Sequence, residues 1–468
     1  MNKYEKLLKN SGVFFIANFG TKIVTFLMVR FYTEVLTAEE YGIVDLLFTT
    51  VNLVVPIITL CITEAVLRFS IDDIKKQKEI LSWGYFIAIT GNLLFLLSAF
   101  LLCKLDAFKD RIWLFYLLSV TNSIQMITLQ FTRGIGKTKL FALTGFLQTV
   151  FQVGFNILFL LVFKFGISGY LLASIVANVF TISIAFILGN LKKYIKIVED
   201  FDYLKKMLKY SAPLVPNSVC WWLTQSSSRY IIKIIISSAA TGLFAAANKL
   251  PTIISTLSGI FFQAWQLSAV KEANSSEKDN FYTSVFKSLS MVLICATSFC
   301  LVILQPLYKI FVNSSYYSAW QCAPFLFISM LFSCYSSFIG TNYTTMKKTK
   351  GVFITTLIGG IVNVVLGVVL TRIIGIVGTA TATMLSFFLV WIVRAVDTYK
   401  FAQIKYEWKS FILPMIVLIV QAILLTIGIK SILLQTVLFF IIMSLYFKDI
   451  LYLSRRLFEF AKKIIVKK

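Results

Sequence analysis

The chain has 468 residues, of which 58% are hydrophobic, and its mean hydropathy is +0.83. Soluble domains are about half apolar, so this composition excludes an ordinary soluble protein and indicates a membrane protein. The formal net charge is +24, and the chain contains no histidine, which removes the commonest general base and metal ligand.

Apolar runs of about 20 residues, each long enough to cross a bilayer as a helix, occur from end to end of the sequence. The gaps between them are too short for a separate soluble domain, so we predict an all-α polytopic membrane protein. Fourteen spans are predicted near residues 11–33, 41–63, 82–103, 112–132, 141–163, 167–189, 211–236, 242–268, 283–304, 320–343, 353–371, 375–397, 410–428 and 432–450. Only Gly428 and Lys430 mark the last boundary, so twelve or thirteen spans are alternatives.

Lysine and arginine concentrate in alternate connections between the spans. The connection after the sixth span, for example, carries Lys192, Lys193, Lys205 and Lys206, whereas the outer loops hold few basic residues. This positive-inside bias places both termini in the cytoplasm. The basicity is therefore explained by topology and by attraction to anionic membrane lipid, and a nucleic-acid partner is not predicted.

No pattern for catalysis or for a resident cofactor is present. The seven cysteines lie in or beside spans without Cys-x-x-Cys spacing, so neither disulfides nor a metal site is predicted. No Walker A motif and no defensible serine–base pair or carboxylate cluster occurs. We therefore predict a transporter and not an enzyme, driven by a proton or sodium gradient, by the membrane potential or by the downhill path of its substrate.

The sequence contains a weak internal repeat of six spans. The matching pairs are 8–11 with 208–211, Gly42 with Gly242, 137–139 with 348–350, and 166–169 with 375–378. We predict an N-terminal lobe at 1–200 (spans 1–6), a C-terminal lobe at 201–400 (spans 7–12), and spans 13–14 with a basic cytoplasmic tail at 401–468. Six spans is an even number, so the two repeats are parallel and can enclose a central cavity, as in alternating-access transporters.

Lys22 lies near the middle of the first span, about ten residues or roughly 15 Å of helix from either end. A lysine stem cannot carry its ammonium group that far to the interface, so the charge must face a partner or a water-filled cavity. Asn18, four residues earlier, shares its face.

Other cations lie in similar apolar surroundings, where acids are scarce. Arg30 follows Lys22 in the first span, Arg229 and Lys233 form a stripe with Gln225 in the seventh, and Lys249 follows Asn248 in the eighth. These spans are equivalent elements of the two repeats, so their charges can converge on an anion. Arginine offers a bidentate fork for phosphate oxygens, and lysine adds a point charge. The alternative for Arg30, Arg229 and Lys233 is that they snorkel to the outer interface.

Two acids are close to this cationic set. Asp45, one turn into the second span, can pair with Arg30 or carry a coupling proton. Glu64 and Arg68 are four residues apart, which favours a helix-end pair over a gate. Asp45 and Glu64 are therefore candidates for ion coupling or gating.

The residues also carry a resemblance to a known family. The stretch from 211 to 272 resembles the seventh and eighth helices of bacterial polysaccharide (Wzx-type) flippases, which belong to the multidrug/oligosaccharidyl-lipid/polysaccharide exporter superfamily. The most specific segments are SAPLVPNS at 211–218, SRYI at 228–231, GLFAAANK at 242–249 and QAWQ at 263–266. Relatives commonly carry an aspartate before the arginine of the seventh helix, whereas this chain has Ser228 before Arg229.

The resemblance implies a V-shaped, two-lobed helical bundle in the bacterial cytoplasmic membrane that works by alternating access. It implies a substrate of undecaprenyl pyrophosphate carrying an oligosaccharide, moved from the inner to the outer leaflet for O-antigen, capsule or exopolysaccharide synthesis, with polysaccharide polymerase machinery as a partner.

Three alternatives stay open at this stage. A flippase for lipid II or a teichoic-acid precursor would share the cationic cavity. A multidrug or cation exporter of the same superfamily would need acids where this chain has bases. A membrane-embedded glycan polymerase would need a large outer loop with catalytic residues, and the longest outer loop, near 305–320, is short.

Overall fold

A computed structural model describes residues 24, 27–196, 200–272, 275–346, 348–429, 431–452 and 454–455. These residues form helices joined by short connections, and no strand occurs among them. The helices are α1 (27–35), α2 (Ala38–Ile58), α3 (Ile62–Asp72), α4 (Gln77–Phe95), α5 (Ala99–Leu102), α6 (Ile112–Gly134), α7 (Thr138–Asn156), α8 (Gly166–Gly189), α9 (Phe201–Ser211), α10 (Val215–Ile235), α11 (Ser238–Lys249), α12 (Pro251–Glu272), α13 (Lys278–Val302), α14 (Leu304–Phe311), α15 (Ala323–Thr345), α16 (Thr349–Thr398), α17 (Leu413–Thr426) and α18 (Ile432–Leu445).

The described residues divide into two compact units, a first unit that ends at Ala245 and a second unit that begins at Ala246. The division falls within α11. The lobes predicted from the sequence, at 1–200, 201–400 and 401–468, rest on the internal repeat and stay a prediction.

Nine helical stretches in the described part of the chain are long and apolar enough to cross a membrane. One of them, Lys350–Thr398, leaves helical geometry at Ile374 and Gly375, where Gly375 has a φ of 63°. A glycine adopts this left-handed conformation without steric penalty, so α16 consists of two helices. Their junction lies where the sequence analysis separates spans 353–371 and 375–397. The chain is a multi-pass membrane protein, and the count of fourteen spans stays a prediction.

The start of α2 is fixed by its first turn. The Thr37 side chain accepts a hydrogen bond from the Glu40 amide, and the Glu40 carboxylate accepts one from the Thr37 amide. This reciprocal capping box satisfies two amides that a helix start otherwise leaves free. Two residues further, Gly42 lies against α11: a Cβ at Gly42 would be 2.1 Å from the Ser238 carbonyl oxygen.

The contact between α2 and α11 is reciprocal. A Cβ at Gly242 would be 1.9 Å from the Ala38 carbonyl oxygen, just as a Cβ at Gly42 would meet Ser238. Both pairs, 42 with 242 and 38 with 238, differ by the offset of 200 found in the sequence. Equivalent residues therefore face each other across a local twofold relation, which supports the internal repeat and explains why both positions are glycine.

The predicted second span, 41–63, is broken near its end. Leu60 and Cys61 both adopt positive φ, 49° and 51°, and separate α2 from α3. The Ile58 carbonyl oxygen at the break lies 2.0 Å from where a Cβ of Gly91 would be, so α4 accommodates the break only because residue 91 is glycine. Left-handed backbone costs a non-glycine residue about 1–2 kcal/mol, so the break stores strain.

Apolar contacts hold the helices of the first unit together. One buried cluster joins α3 and α6 to α8, and its members include Val66, Ile127, Phe131 and Ala185. A second cluster packs α2 against α6 and α8 around Leu47, Phe115 and Leu171. These clusters fix the backbone of α2 and α3.

The second unit contains a fully buried arginine. The Arg394 side chain, only 1% exposed, donates from Nε to the Thr355 hydroxyl at 3.0 Å, from Nη2 to the Thr356 hydroxyl at 2.9 Å, and from Nη1 to the Ser336 carbonyl oxygen at 2.8 Å. A Cβ at Gly340 would be 2.8 Å from Nη1, so this glycine makes room for the guanidinium. Arg394 thereby links α15 to both halves of α16. Arg394 was not among the site residues predicted from the sequence.

Candidate functional site

The exposed faces of the helices in the first unit differ in chemistry. On α4, α7 and α8 they consist largely of big apolar side chains, such as Leu93, Phe146 and Ile187. In a membrane protein, such faces suit contact with lipid tails. The exposed side chains of α2, α3 and α10 are different, because several of them are charged or carry amides.

This polar stripe consists of Asp45 and Asn52 on α2, Glu64 and Arg68 on α3, and Gln225 and Arg229 on α10. Asp45 and Asn52 are seven residues apart and therefore share a face of the helix. Asp45 and Asn52 lie within the apolar stretch Ala38–Ile58, where polar side chains face water or a ligand because hydrocarbon cannot solvate them. The polar stripe is the candidate site in the first unit.

An ion pair between Asp45 and Arg229 lies in the polar stripe. Arg229 Nε donates to Asp45 Oδ2 at 2.5 Å, and Arg229 Nη1 donates to the Gln225 carbonyl oxygen at 3.1 Å. The two side chains are 13% and 15% exposed, so water or a solute reaches the pair. Asp45 therefore pairs with Arg229 and not with Arg30, the partner considered from the sequence. Arg30 instead pairs with Glu34 at the exposed surface of α1, at 2.5 Å.

Aromatic side chains position α10 against α2 beside this pair. Trp222 Nε1 donates to the Thr49 carbonyl oxygen at 2.8 Å, and the Tyr230 and Thr50 hydroxyls are hydrogen-bonded to each other. The rings of Trp222 and Tyr230 are 5.7 Å apart. These contacts hold α10 against α2 before and after Arg229 in the chain. They therefore fix the position of the Arg229 guanidinium in the polar stripe.

Glu64 is exposed in the first turn of α3. The helix-end pair predicted between Glu64 and Arg68 is wrong, because Arg68 Nε contacts Asp72 Oδ2 at 2.8 Å. Within the described residues no ion pair of Glu64 is found.

Asn52 was missed by sequence reasoning because one amide in an apolar run carries no positional signal until the exposed face of α2 is known.

The structure describes some of the remaining predicted site residues and not others. Lys233 lies half-buried on α10, one turn from Arg229, and forms no ion pair among the residues described. Asn248 is buried and Lys249 is half-buried, and both belong to the second unit. The Asn248 side-chain oxygen has no hydrogen-bond partner within the described part of the chain. Asn18 and Lys22 lie outside the described residues.

Among the described residues, no group of three cysteine, aspartate or glutamate side chains could hold a metal ion. The arginine, carboxylate and amide groups of the polar stripe can bind a solute electrostatically and by hydrogen bonds.

Comparisons with known proteins agree with this architecture. The model of a family described as polysaccharide biosynthesis protein matches residues 7–266, more than half of the chain. No curated protein matches the sequence. The structure of the lipid II flippase MurJ in an inward closed conformation is similar, with a TM-score of 0.71 and 15% identity over 94% of this chain and 99% of that one.

Other solved transporters are also similar. An inward-facing multidrug resistance MATE family transporter of the MOP superfamily gives a TM-score of 0.67 with 12% identity, over 90% of this chain and 99% of that one. A MOP superfamily transporter from Pyrococcus furiosus gives 0.60 with 11% identity, over 90% and 97%. At these identities the likeness concerns the fold, and the predicted all-helical transporter fold is confirmed.

Proposed function

The chain belongs to the polysaccharide biosynthesis protein family, and from that premise we propose that it is a flippase for undecaprenyl-pyrophosphate-linked oligosaccharide. It moves this substrate by alternating access from the inner to the outer leaflet of the bacterial cytoplasmic membrane, with both of its termini in the cytoplasm. The product serves the synthesis of a surface polysaccharide such as O-antigen, capsule or exopolysaccharide.

The polar stripe is the observation that carries this proposal. A substrate with two phosphates and several sugars cannot cross bare hydrocarbon, because each unpaired charge and hydroxyl loses its hydration. The stripe offers Arg229, partly exposed between a carboxylate and a backbone carbonyl, whereas the exposed faces of α4, α7 and α8 are largely apolar. The protein lowers the barrier by replacing water around the head group and changes no covalent bond.

The cations have distinct roles in this proposal. Arg229 binds phosphate oxygens with its planar fork, and Lys22, Arg30, Lys233 and Lys249 add positive charge along the path. Asn18, Gln225 and Asn248 supply neutral hydrogen bonds. Asp45 competes with the substrate for Arg229, so binding of the pyrophosphate releases this carboxylate, which can then take up a coupling proton or sodium ion. Polysaccharide polymerase machinery receives the translocated lipid, and anionic lipid contacts the basic cytoplasmic surface.

The first test is mass spectrometry of lipids from the host after depletion of this protein. Accumulation of undecaprenyl-pyrophosphate oligosaccharide together with loss of surface polysaccharide supports the proposal. Wild-type protein must reverse both effects, and Arg229→Met must reverse neither although it reaches the membrane. Unchanged lipid intermediates would overturn the flippase proposal, and export of toxic cations would be tested next.

The same experiment decides between related substrates. A flippase for lipid II or for a teichoic-acid precursor would share the cationic residues, but a different lipid would accumulate on depletion. The scarcity of acids around Arg229 and Lys233 disfavours a cation exporter, because cations need carboxylates in the binding site.

A further inference from the structure

The connection between α8 and α10 contains a short helix, α9, that is buried on one face only. Tyr203 and Met207 belong to the buried apolar cluster that joins α3, α6 and α8, and Leu208 packs against it. The Asp200 side chain accepts a hydrogen bond from the Tyr203 amide at 3.0 Å and caps the helix. These contacts make α9 a fixed element of the first unit, and they leave its opposite face exposed.

Further contacts place the start of α9 at one end of a membrane-crossing stretch. The apolar stretch Ile74–Leu102, which includes α4, is long enough to cross a bilayer. Lys76 Nζ, at the beginning of that stretch, pairs with Asp200 Oδ2 at 2.8 Å, and Trp83 Nε1 donates to the Asp200 carbonyl oxygen at 3.1 Å. Because α9 is tied to the end of this stretch, it lies at the level of the lipid head groups.

Phe201, the first residue of α9, continues the exposed apolar face of α4. The centre of its ring is 5.1 Å from that of Trp83, which is 5.3 Å from that of Phe86. Phe86 belongs to a row of exposed apolar side chains on α4 that includes Ile89 and Leu93. Such a row suits contact with lipid tails, and Phe201, which is 66% exposed, extends it onto α9.

Two lysines share the face of α9 on which Phe201 lies. Lys205 and Lys209 follow Phe201 at intervals of four residues and therefore lie on the same side of the helix. Both lysines are exposed, and neither forms an ion pair with any residue that the structure describes. Their ammonium groups are thus available to an anion beside the apolar ring.

The acids around α9 do not neutralise this face. Asp200 pairs with Lys76, and Glu79 of α4 pairs with Lys196 at 2.8 Å. The exposed face of α9 itself carries one aspartate, Asp202, against lysines at 205, 206 and 209. Positive charge therefore remains on the face that borders the membrane.

An apolar ring beside lysines without acidic partners is the pattern of a helix that lies in a membrane interface. We propose that Lys205 and Lys209 form a binding site for the phosphate head group of an anionic phospholipid, in the leaflet beside this end of α4. The lysines bind phosphate oxygens, and Phe201 contacts the upper part of the acyl chains. The site does not depend on which substrate the protein moves.

The test is hydrogen–deuterium exchange of the full-length protein in two kinds of nanodisc. One kind contains phosphatidylcholine alone, and the other contains equal parts of phosphatidylcholine and phosphatidylglycerol. Amides of α9 in the wild type should exchange about fivefold more slowly with the anionic lipid, the effect of one lysine near an anionic surface, or more slowly still. The double variant Lys205→Gln/Lys209→Gln should lose most of this difference, while peptides from α6 and α8 report that it is folded.

The matched control is Lys104→Gln/Lys109→Gln, which removes two exposed lysines from the connection at the other end of the same stretch. This control should keep the wild-type difference in α9. Inorganic phosphate added to nanodiscs of phosphatidylcholine should give no protection, since the site takes a lipid head group. Equal exchange of wild-type α9 in both lipids would overturn the proposal. A difference that persists in the Lys205→Gln/Lys209→Gln variant, or protection by inorganic phosphate alone, would overturn it as well.

Discussion

Arg229 and Arg394 both interrupt apolar helices, but their surroundings differ in every respect that matters for function. Arg394 is enclosed by three neutral oxygens of α15 and α16, whereas Arg229 is partly exposed and is held by a carboxylate. A closed set of partners leaves no direction from which a solute can approach. If the proposed function is correct, charge in an apolar run marks a binding site only when water reaches it.

The internal repeat gives a second comparison for Arg394, with the residue at the equivalent position of the first unit. By the match of 166–169 with 375–378, Ala185 of the first unit is equivalent in sequence to Arg394 of the second. Ala185 is fully buried in an apolar cluster. The first unit therefore has a buried, uncharged residue at the equivalent position. This indicates that the arginine serves the packing of α15 and α16 in the second unit and is not required by the fold.

The largest effect is expected at Arg394. Arg394→Ala should lower the free energy of unfolding by about 3–5 kcal/mol, because it leaves a large cavity between α15 and α16. Arg394→Met fills that space and removes a charge that has no carboxylate partner among the described residues, so its stability should stay within about 1 kcal/mol of the wild type. Thermal unfolding in detergent measures both. Loss of transport by a folded Arg394→Met variant would place Arg394 in the functional site and would contradict its contrast with Arg229.

The next effect is expected at Arg229. Arg229→Met should abolish surface polysaccharide and glycolipid binding while the protein still inserts and folds, because it removes the phosphate-binding fork. Arg229→Lys should retain part of the affinity as a point charge. The matched comparison is Arg394→Met, which should keep transport. Normal polysaccharide with Arg229→Met, measured in the depleted host, would remove Arg229 from the site.

A smaller effect is expected at Asp45. Asp45→Asn keeps the size of the side chain and removes the competitor for Arg229, so binding of undecaprenyl pyrophosphate should tighten several-fold while transport slows. A loss of about 1 kcal/mol of stability is expected from the partly exposed ion pair. Affinity and transport rate measured together separate this result from a simple folding defect, which would lower both.

The smallest effect is expected at Lys233. Lys233→Ala should weaken binding of undecaprenyl pyrophosphate less than Arg229→Ala does, because lysine offers a single point charge and lies one turn away. Binding measured at low and high salt checks the electrostatic origin of any loss. Equal binding by both variants and the wild type would exclude the pair from the site.

Sequence patterns predicted the helices well and the contacts of the site only in part. Apolar runs located the spans, and Arg229 and Asp45 were recognised because charge is conspicuous in such runs. The partner of Asp45 could not be read from spacing, because Arg229 lies 184 residues away in the chain. Arg394 was missed because it lies close to a predicted span end, where arginine commonly snorkels.

Other features can be recognised only from the backbone structure. Leu60 and Cys61 include neither glycine nor proline, and Pro56 lies within α2, so nothing in the sequence marks the break at 60–61. The exposed position of Asn52 likewise follows from which face of α2 packs against α6 and α8. Local pattern indicates that a helix exists, and tertiary packing decides where it bends and what it exposes.

The break between α2 and α3 also has an electrostatic consequence. Because α3 begins anew at Ile62, its first turn carries the positive end of a helix macrodipole at the end of the predicted second span. Glu64 lies in that first turn, where a negative charge is stabilised by about 0.3–1 kcal/mol. The interrupted backbone thus compensates part of the charge of a carboxylate for which no cation is found among the described residues.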